Sequence, residues 1–297
     1  MATFTTSDGI DIRYEVRGKG PPVYVCQGGP SNICDTLIAE LTPLENRHRL
    51  VFHDYRGSGQ SAAAPADTYR FERLADDLDE LRRHLGDGSI AVLAHSMGGF
   101  IALHYALRHA ATCQALVLVG TTPCGASRPM AVPVLRALGL PRTLKALAIG
   151  MRFLLLWSWR PASRERTMAM YAPMSVLQEP RPELRAKVAA ARAMSGLPVE
   201  NDNAEPLMNA LGGVDLRAEL AAVACPVMVL YGSRDAAMVA GGTMLQRGIP
   251  HAEVTVLPQI GHEPFIEAPD ETFPVIRDFL ARHAGEQPEL RGGTGGA

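Results

Sequence analysis

The stretch AVLAHSMGGF, residues 91–100, decides the fold of this chain. An apolar run leads into Ser96, and the helix-like pattern GGFIALHYAL follows it, which predicts a tight strand-to-helix turn with the serine at its apex. Such a turn brings the residues two before and two after the serine together, and Ala94 and Gly98 are small enough to allow this. The hydroxyl would stand exposed above the sheet, so Ser96 is the candidate nucleophile. The alternative is an ordinary serine in a glycine-rich turn.

Two backbone N–H groups are candidates to stabilise an oxyanion formed at this serine. The N–H of Met97, at the start of the helix, would point at the oxyanion with the help of the helix dipole. A second donor is predicted in CQGGPS, residues 26–31, where the N–H of Gly29 is the candidate and Gly28 shapes the turn. A simple Gly-Pro turn without a catalytic role is the alternative there.

A serine is a weak nucleophile, so a base and an orienting acid are expected near the ends of other strands. The segment VMVLYGSRDAA ends a strand in a polar loop with Asp235, and VTVLPQIGHEPF ends the next strand in a loop with His262. A structural salt bridge between Arg234 and Asp235 is the alternative for the acid. Three other histidines border strands and remain candidates for the base: His48, His53 and His251.

Apolar runs rich in Val, Ile and Leu alternate with helix patterns, which predicts an α/β fold with a mostly parallel sheet. Two alternating runs at the start, TFTTS and IDIRYEVRG, predict an antiparallel hairpin at one edge. The clearest helix pattern has Leu74, Leu78, Leu81 and Leu85 on one stripe, with Gly86 as its stop. The predicted strands are PVYVC (22–26), LVFHD (50–54), IAVLA (90–94), ALVLV (115–119), PVMVL (226–230) and EVTVL (253–257).

The alternation stops in the middle of the chain, where proline-divided helix patterns predict an insertion over one end of the sheet. We expect a core of residues 1–121 and 206–284, a helical insertion at 122–205, and a disordered tail at 285–297. We expect most of FLLLWSW, residues 153–159, to pack onto the core and some of its residues to lie at the mouth of the site. The first part of the insertion is basic, and a solvated helix face is preferred there over an anion-binding or membrane-touching surface. Its cations are Arg128, Arg136, Arg142, Lys145, Arg152, Arg160, Arg164 and Arg166.

Composition narrows the range of functions. The formal charge of −2 over 297 residues gives no reason to expect a nucleic-acid partner. Five cysteines without a C-x-x-C pair suit buried free thiols, and neither a signal peptide nor a membrane-spanning segment is predicted, so we expect a cytoplasmic protein. No metal-ligand cluster or dinucleotide fingerprint is present, so no metal and no cofactor are expected. The sequence gives no oligomeric state.

The motifs QGGP, DYRGSGQS (54–61), AHSMGG, YGSRD and GH, in this order, resemble the α/β-hydrolase superfamily over residues 5–284. The resemblance implies a Ser-Asp-His triad and a cap formed by the insertion between the sixth and seventh strands. The loops look most like the proline iminopeptidase branch. That branch usually has His at the position of Gln27, Gly at the positions of Ser31 and Ala94, and Trp at the position of Met97. The serine motif His-Ser-Met-Gly instead resembles that of esterase, lactonase and haloperoxidase-like members.

We therefore expect a serine hydrolase that cleaves an ester, thioester, lactone or amide of a small to medium, partly hydrophobic molecule. A proline iminopeptidase acting on short peptides is one alternative. Its free substrate amine would need acids in the cap, for which Glu200 and Glu205 are candidates, although a polar connector would look the same. His95 and Gly28 are further candidates for substrate binding. A non-hydrolytic lyase, cyclase or ligand-binding protein of the same fold is the second alternative. We interpret Asp54 and Arg56 as a structural brace.

Overall fold

The computed structural model describes residues 2–29, 34–125, 128–156, 180–194 and 204–285. Its centre is an eight-stranded sheet in the order β1-β2-β4-β3-β5-β6-β7-β8. The first strand pairs antiparallel with β2, and β2 pairs antiparallel with β4, while every other neighbouring pair is parallel. The strands are β1 Ala2–Thr5, β2 Asp11–Arg17, β3 Pro22–Cys26, β4 Arg49–His53, β5 Ile90–His95, β6 Cys113–Val119, β7 Val227–Gly232 and β8 Glu253–Leu257. The predicted hairpin and mostly parallel sheet are confirmed.

Helices cover both faces of the sheet, which explains why the strand sequences are continuously apolar. The central strand β5 is buried at all six positions, because its alternate side chains enter two separate clusters. One cluster includes side chains of α2, α3 and α7, and the other includes side chains of α1 and α9. The helices are α1 Asp35–Leu41, α2 Phe71–His84, α3 Gly98–Arg108, α4 Arg128–Leu156, α5 Arg185–Met194, α6 Ala204–Gly213, α7 Ala236–Gly248, α8 Pro264–Glu267 and α9 Pro269–His283.

Helix α2 shows how the pattern of the sequence becomes structure. Leu74, Leu78 and Leu81 are buried against the sheet, as their spacing predicts. The helix ends at His84, and Gly86 follows with a φ of 75°, a conformation in which a β-carbon would cause strain. The predicted helix and its stop are confirmed.

Between β6 and β7 the described residues form α4, α5 and α6, and α4 bends at Gly139, whose φ is 69°. After this bend, large apolar side chains lie exposed at helical spacing: Leu140, Leu144, Leu147, Met151 and Leu155. The expected packing of FLLLWSW is therefore wrong for Leu155 and Leu156, whose side chains face outward. Residues 157–159 of that motif, and the predicted tail apart from Gly285, lie outside the described residues. The division into core and insertion stays a prediction.

Within the described ranges, no helix combines the length and apolar character needed to cross a membrane. All five cysteines are free thiols, and all except Cys225 are buried.

Candidate active site

Ser96 occupies the tight turn that its sequence surroundings predict. The turn joins β5 to α3, and Ser96 has a φ of 52°, in a region that side-chain-bearing residues adopt only under strain. The backbone N–H of Ser96 donates a 2.9 Å hydrogen bond to the carbonyl of Val119 at the end of β6. A β-carbon on Gly98 would lie 2.2 Å from the carbonyl oxygen of Cys26, so only glycine permits this approach of α3 to β3.

The structure brings Ser96, His262 and Asp235 together at the carboxyl end of the sheet. The Nε2 atom of His262 lies 3.0 Å from the Oγ atom of Ser96, and its Nδ1 atom makes a short hydrogen bond to Oδ2 of Asp235. Asp235 is fully buried and His262 is 4% exposed. The buried carboxylate favours a proton on Nδ1, which leaves Nε2 to accept the proton of Ser96.

The second oxygen of Asp235 is also held in place. Asp235 caps α7, and its Oδ1 atom accepts a 3.2 Å hydrogen bond from the backbone N–H of Met238. A carboxylate at this N-terminal position is stabilised by the cap and by the helix dipole. No ion pair between Asp235 and Arg234 occurs among the described contacts of this loop.

The oxyanion-hole candidates lie on either side of the serine. Met97 directly follows Ser96 in the chain and is the N-cap residue of α3. On the opposite loop, a β-carbon on Gly28 would lie 2.8 Å from Cβ of Ser96, which places this backbone directly against the nucleophile. Gly29 follows with a φ of 69°. The role of the Met97 and Gly29 N–H groups as donors to an oxyanion stays a prediction.

His95 lies beside the triad and contacts the histidine loop. Its Nε2 atom donates a 3.0 Å hydrogen bond to the carbonyl of His262, and the centroids of the two rings are 5.0 Å apart. A carboxylate oxygen of Glu263 lies 3.7 Å from the same nitrogen. The described contacts of His95 therefore explain how the loop is held, and its expected substrate-binding role stays a prediction.

Glu267 is a buried acid that the sequence analysis missed. Its carboxylate accepts hydrogen bonds from the backbone N–H groups of Gly261 and Glu263, the two neighbours of His262, at 3.0 to 3.2 Å. It also accepts a 3.1 Å bond from the N–H of Arg181 in the insertion. One carboxylate thus fixes both sides of the catalytic histidine candidate. An acid within the mostly apolar sequence PFIEA after Gly-His was the available signal.

Two neighbouring carboxyl groups, those of Glu40 and Glu263, lie near the histidine of the site. Burial and the negative charge of Glu263 raise the pKa of Glu40 on α1 to about 8. Among the described residues, the buried Oε2 atom of Glu40 has no hydrogen-bond partner. At neutral pH Glu40 is therefore largely protonated.

The other candidate bases lie in different surroundings. His53 is buried at the end of β4, where burial lowers its pKa to about 4, and His251 donates from Nε2 to the carbonyl of Cys225 at the opposite end of the sheet. Burial and the neighbouring Arg47 also lower the pKa of His48. None of the described contacts links these three rings to Ser96.

The motif DYRGSGQS forms the brace that was expected of it. Asp54 accepts hydrogen bonds from the backbone N–H groups of Cys34 and Gln60 at 2.8 and 3.0 Å. The fully buried guanidinium of Arg56 pairs with Asp77 at 2.7 Å and with Asp8 at 2.9 Å. These charge-assisted bonds join loops of the core to one another.

The binding of a substrate amine by Glu200 and Glu205 stays a prediction. Glu200 lies outside the described residues, and Glu205 belongs to α6. In the part of the chain that the structure describes, no group of three or more His, Cys, Asp or Glu side chains is arranged to hold a metal ion.

Comparison with known proteins agrees with this geometry. Residues 21–269 match the model of the alpha/beta hydrolase fold family. The chain belongs to the α/β-hydrolase family. It is accordingly an enzyme of the hydrolase class.

Relatives of this hydrolase differ in their named activities. It is 27% identical to a pimeloyl-[acyl-carrier protein] methyl ester esterase of Nitrosomonas europaea, over 88% of this chain and 96% of that protein. It is 31% identical to the proline iminopeptidase PfmaB of Pestalotiopsis fici, but over 41% of this chain and only 45% of that protein. The solved esterase of Exiguobacterium antarcticum superposes with a TM-score of 0.73, at 23% identity, over 94% of this chain and 98% of that one.

Proposed function

We propose that this hydrolase cleaves a carboxylic ester, thioester, lactone or amide through an acyl-enzyme on Ser96. The observation that carries the proposal is the continuous hydrogen-bonded chain from the Ser96 hydroxyl through His262 to the buried Asp235. A serine at a strained strand-to-helix turn needs only a base within hydrogen-bond reach to become nucleophilic.

The proposed reaction follows from these positions. Nε2 of His262 takes the proton of Ser96 as the hydroxyl oxygen attacks the substrate carbonyl, and Asp235 stabilises the imidazolium that forms. The N–H groups of Met97 and Gly29 stabilise the negative oxygen of the tetrahedral intermediate. The imidazolium then protonates the leaving group. Water, activated by the same histidine, releases the acyl group and restores Ser96.

A small to medium, partly hydrophobic acyl substrate suits this site best. The buried apolar side chain of Phe265 lies beside the site, with its ring centroid 5.8 Å from that of His95. The insertion between β6 and β7 is proposed as the cap that selects the substrate, since Arg181 bonds to Glu267 of the histidine loop. Two relatives, named as an esterase and a proline iminopeptidase, extend the candidate bonds to esters and amides.

A substrate panel tests the proposal. Matched p-nitrophenyl esters of increasing chain length, a thioester, a lactone and a prolyl anilide are offered to the wild-type enzyme and to Ser96→Ala. We expect medium-chain esters to be cleaved fastest, with activity lost in Ser96→Ala. Turnover of short charged esters alone would contradict the substrate class. Preference for the prolyl anilide would favour the iminopeptidase alternative, and panel activity that survives Ser96→Ala would contradict the acyl-enzyme on Ser96. Folded wild-type protein that turns over none of these substrates would favour the non-hydrolytic or ligand-binding alternative.

A further inference from the structure

Two cysteines form a close pair at the end of the sheet opposite the triad. The Sγ atoms of Cys113, the first residue of β6, and Cys225, just before β7, are 3.6 Å apart. The far end of β6, at Val119, bonds to the backbone of Ser96. With a rise of about 3.3 Å per residue, β6 separates the thiol pair from the triad by about 20 Å. The pair therefore lies outside the proposed hydrolytic site.

We propose that Cys113 and Cys225 form an oxidation-sensitive dithiol site, which hydrogen peroxide converts into a disulfide. The proposal is independent of the hydrolytic mechanism. A disulfide requires a sulfur–sulfur distance of about 2.05 Å, so the two sulfurs must approach by about 1.5 Å, a movement that side-chain rotation can supply. Both residues pack in the same hydrophobic cluster, and a neutral disulfide is compatible with that environment.

The surroundings give the two sulfurs different roles. Cys225 is half-buried, whereas Cys113 is 6% exposed, so peroxide reaches Cys225 first. The Cys113 thiol donates its hydrogen to the Cys225 sulfur, which lowers the pKa of Cys225 and raises that of Cys113. Cys225 is therefore the attacking sulfur and Cys113 the resolving one.

The reaction balances without any further reactant. The Cys225 thiolate attacks one peroxide oxygen, the O–O bond breaks, and hydroxide leaves as Cys225 becomes a sulfenic acid. The Cys113 sulfur then attacks the Cys225 sulfur, the S–O bond breaks, and water leaves with the Cys113 proton. The two thiols lose two electrons in total, and peroxide is reduced to water.

The other thiols give matched controls because burial protects them. Burial raises the pKa values of Cys26 and Cys34, and Cys124 is fully buried. The disulfide would also close the long segment between the starts of β6 and β7, which includes the insertion. Closing a long loop restricts the unfolded chain, so oxidation should raise the melting temperature by several degrees.

Peptide mapping tests the proposal. Trypsin leaves Cys225 alone on residues 218–234, but Cys113 shares residues 109–136 with Cys124. The folded variant Cys124→Ser therefore makes the assignment unambiguous. After peroxide treatment and digestion without reductant, we expect the two peptides to be linked, with hydrolase activity within about twofold of the untreated enzyme, since the pair is remote from the triad.

Two further variants separate the roles of the sulfurs. Cys225→Ser should form no link, whereas Cys113→Ser should accumulate a sulfenic acid on Cys225 that dimedone captures more strongly than in the wild type. Absence of the linked peptide from folded Cys124→Ser would overturn the proposal. So would a link that forms only after the protein is unfolded in urea, or equal dimedone capture in Cys113→Ser and the wild type.

Discussion

The two regions that flank the proposed active site are built on different principles. At the carboxyl end of the sheet, the side chains of Asp235 and His262 are almost fully buried, and each makes defined hydrogen bonds. In the insertion, helix α4 exposes a row of leucine and methionine side chains after Gly139, and Leu140 is 71% exposed. The core holds the candidate reacting groups at hydrogen-bond distance from one another, whereas α4 exposes apolar side chains on its surface.

This difference suits the core to catalysis and the insertion to discrimination between substrates. Preorganised groups in a buried site stabilise a transition state because they do not reorganise during the reaction. Apolar surface, by contrast, discriminates between substrates only by a modest factor for each methylene group. We therefore expect changes in the core to affect kcat strongly, and changes in the insertion to affect KM mildly.

The largest expected effect is that of Asp235→Asn. The amide cannot hold His262 in the required tautomer, so kcat should fall by about 10⁴-fold. Esterase assays on protein with an unchanged circular dichroism spectrum check this. The matched control is Asp270→Asn, an exposed acid at the start of α9, which should retain full activity. A loss below about tenfold in Asp235→Asn would remove the acid from its proposed role.

His53 tests how burial in the core links stability to pH. Its folded-state pKa is lowered from 6.5 to about 4, so only the unfolded chain binds this proton between these values. Its contribution to stability is therefore present above about pH 6.5 and is lost as the pH falls toward 4. His53→Leu should remove about 2 to 3 kcal/mol of the wild-type stability loss between about pH 8 and pH 4.5.

Urea unfolding of wild type, His53→Leu and the control His251→Leu measures this difference. His251 is exposed and bonds to the carbonyl of Cys225, so His251→Leu controls for the general effect of replacing a histidine by leucine. If the free energy of unfolding depends on pH in the same way in wild type and His53→Leu, folded His53 takes up its proton over the same pH range as the unfolded chain, which would contradict the lowered pKa.

Glu267 tests whether the core positions the histidine through its backbone. In Glu267→Gln one acceptor oxygen becomes a donor that faces the N–H groups of Gly261, Glu263 or Arg181, so the loop must shift. A misplacement of this kind should lower kcat by about 10- to 100-fold with a smaller change in KM. The substitution should also lower the rate of covalent labelling of Ser96 by the same factor, which a purely structural loss of folded protein would not produce.

The smallest effect is expected in the insertion. The guanidinium of Arg142 on α4 donates a 3.3 Å hydrogen bond to the carbonyl of Arg234, the residue before Asp235. Arg142→Met keeps an unbranched side chain of the length of the arginine's aliphatic part but loses the donor, so KM should rise by about two- to threefold, the effect of one modest hydrogen bond. Lys145→Met, an exposed cation on the same helix, is the control. A kcat loss in Arg142→Met as large as that in Asp235→Asn would contradict the expectation that changes in the insertion affect mainly KM.

The sequence predicted the core well because its physical signals are local. Runs of apolar residues indicated strands that are buried on both faces. The small residues around Ser96 indicated a tight turn, in which a β-carbon on Gly98 would collide with Cys26. The proximity of Asp235 and His262 to Ser96 could be predicted because the carboxyl ends of parallel strands meet at one edge of the sheet.

Other features depend on contacts between distant segments and gave no local pattern. Glu267 was missed because its partners, Gly261, Glu263 and Arg181, become neighbours only when the loop and the insertion fold together. The packing of FLLLWSW was misjudged for Leu155 and Leu156, since an apolar run does not reveal which side faces solvent. The Cys113–Cys225 pair joins residues that lie far apart in the sequence.

The most direct test of the central claim is labelling with a fluorophosphonate probe followed by peptide mapping. The probe reacts with a serine whose oxygen is activated by a neighbouring base. We expect stoichiometric modification of Ser96 in the wild type and none in Ser96→Ala, with slow labelling in Asp235→Asn. Folded wild-type protein that turns over esters while Ser96 stays unmodified would contradict an acyl-enzyme on this residue.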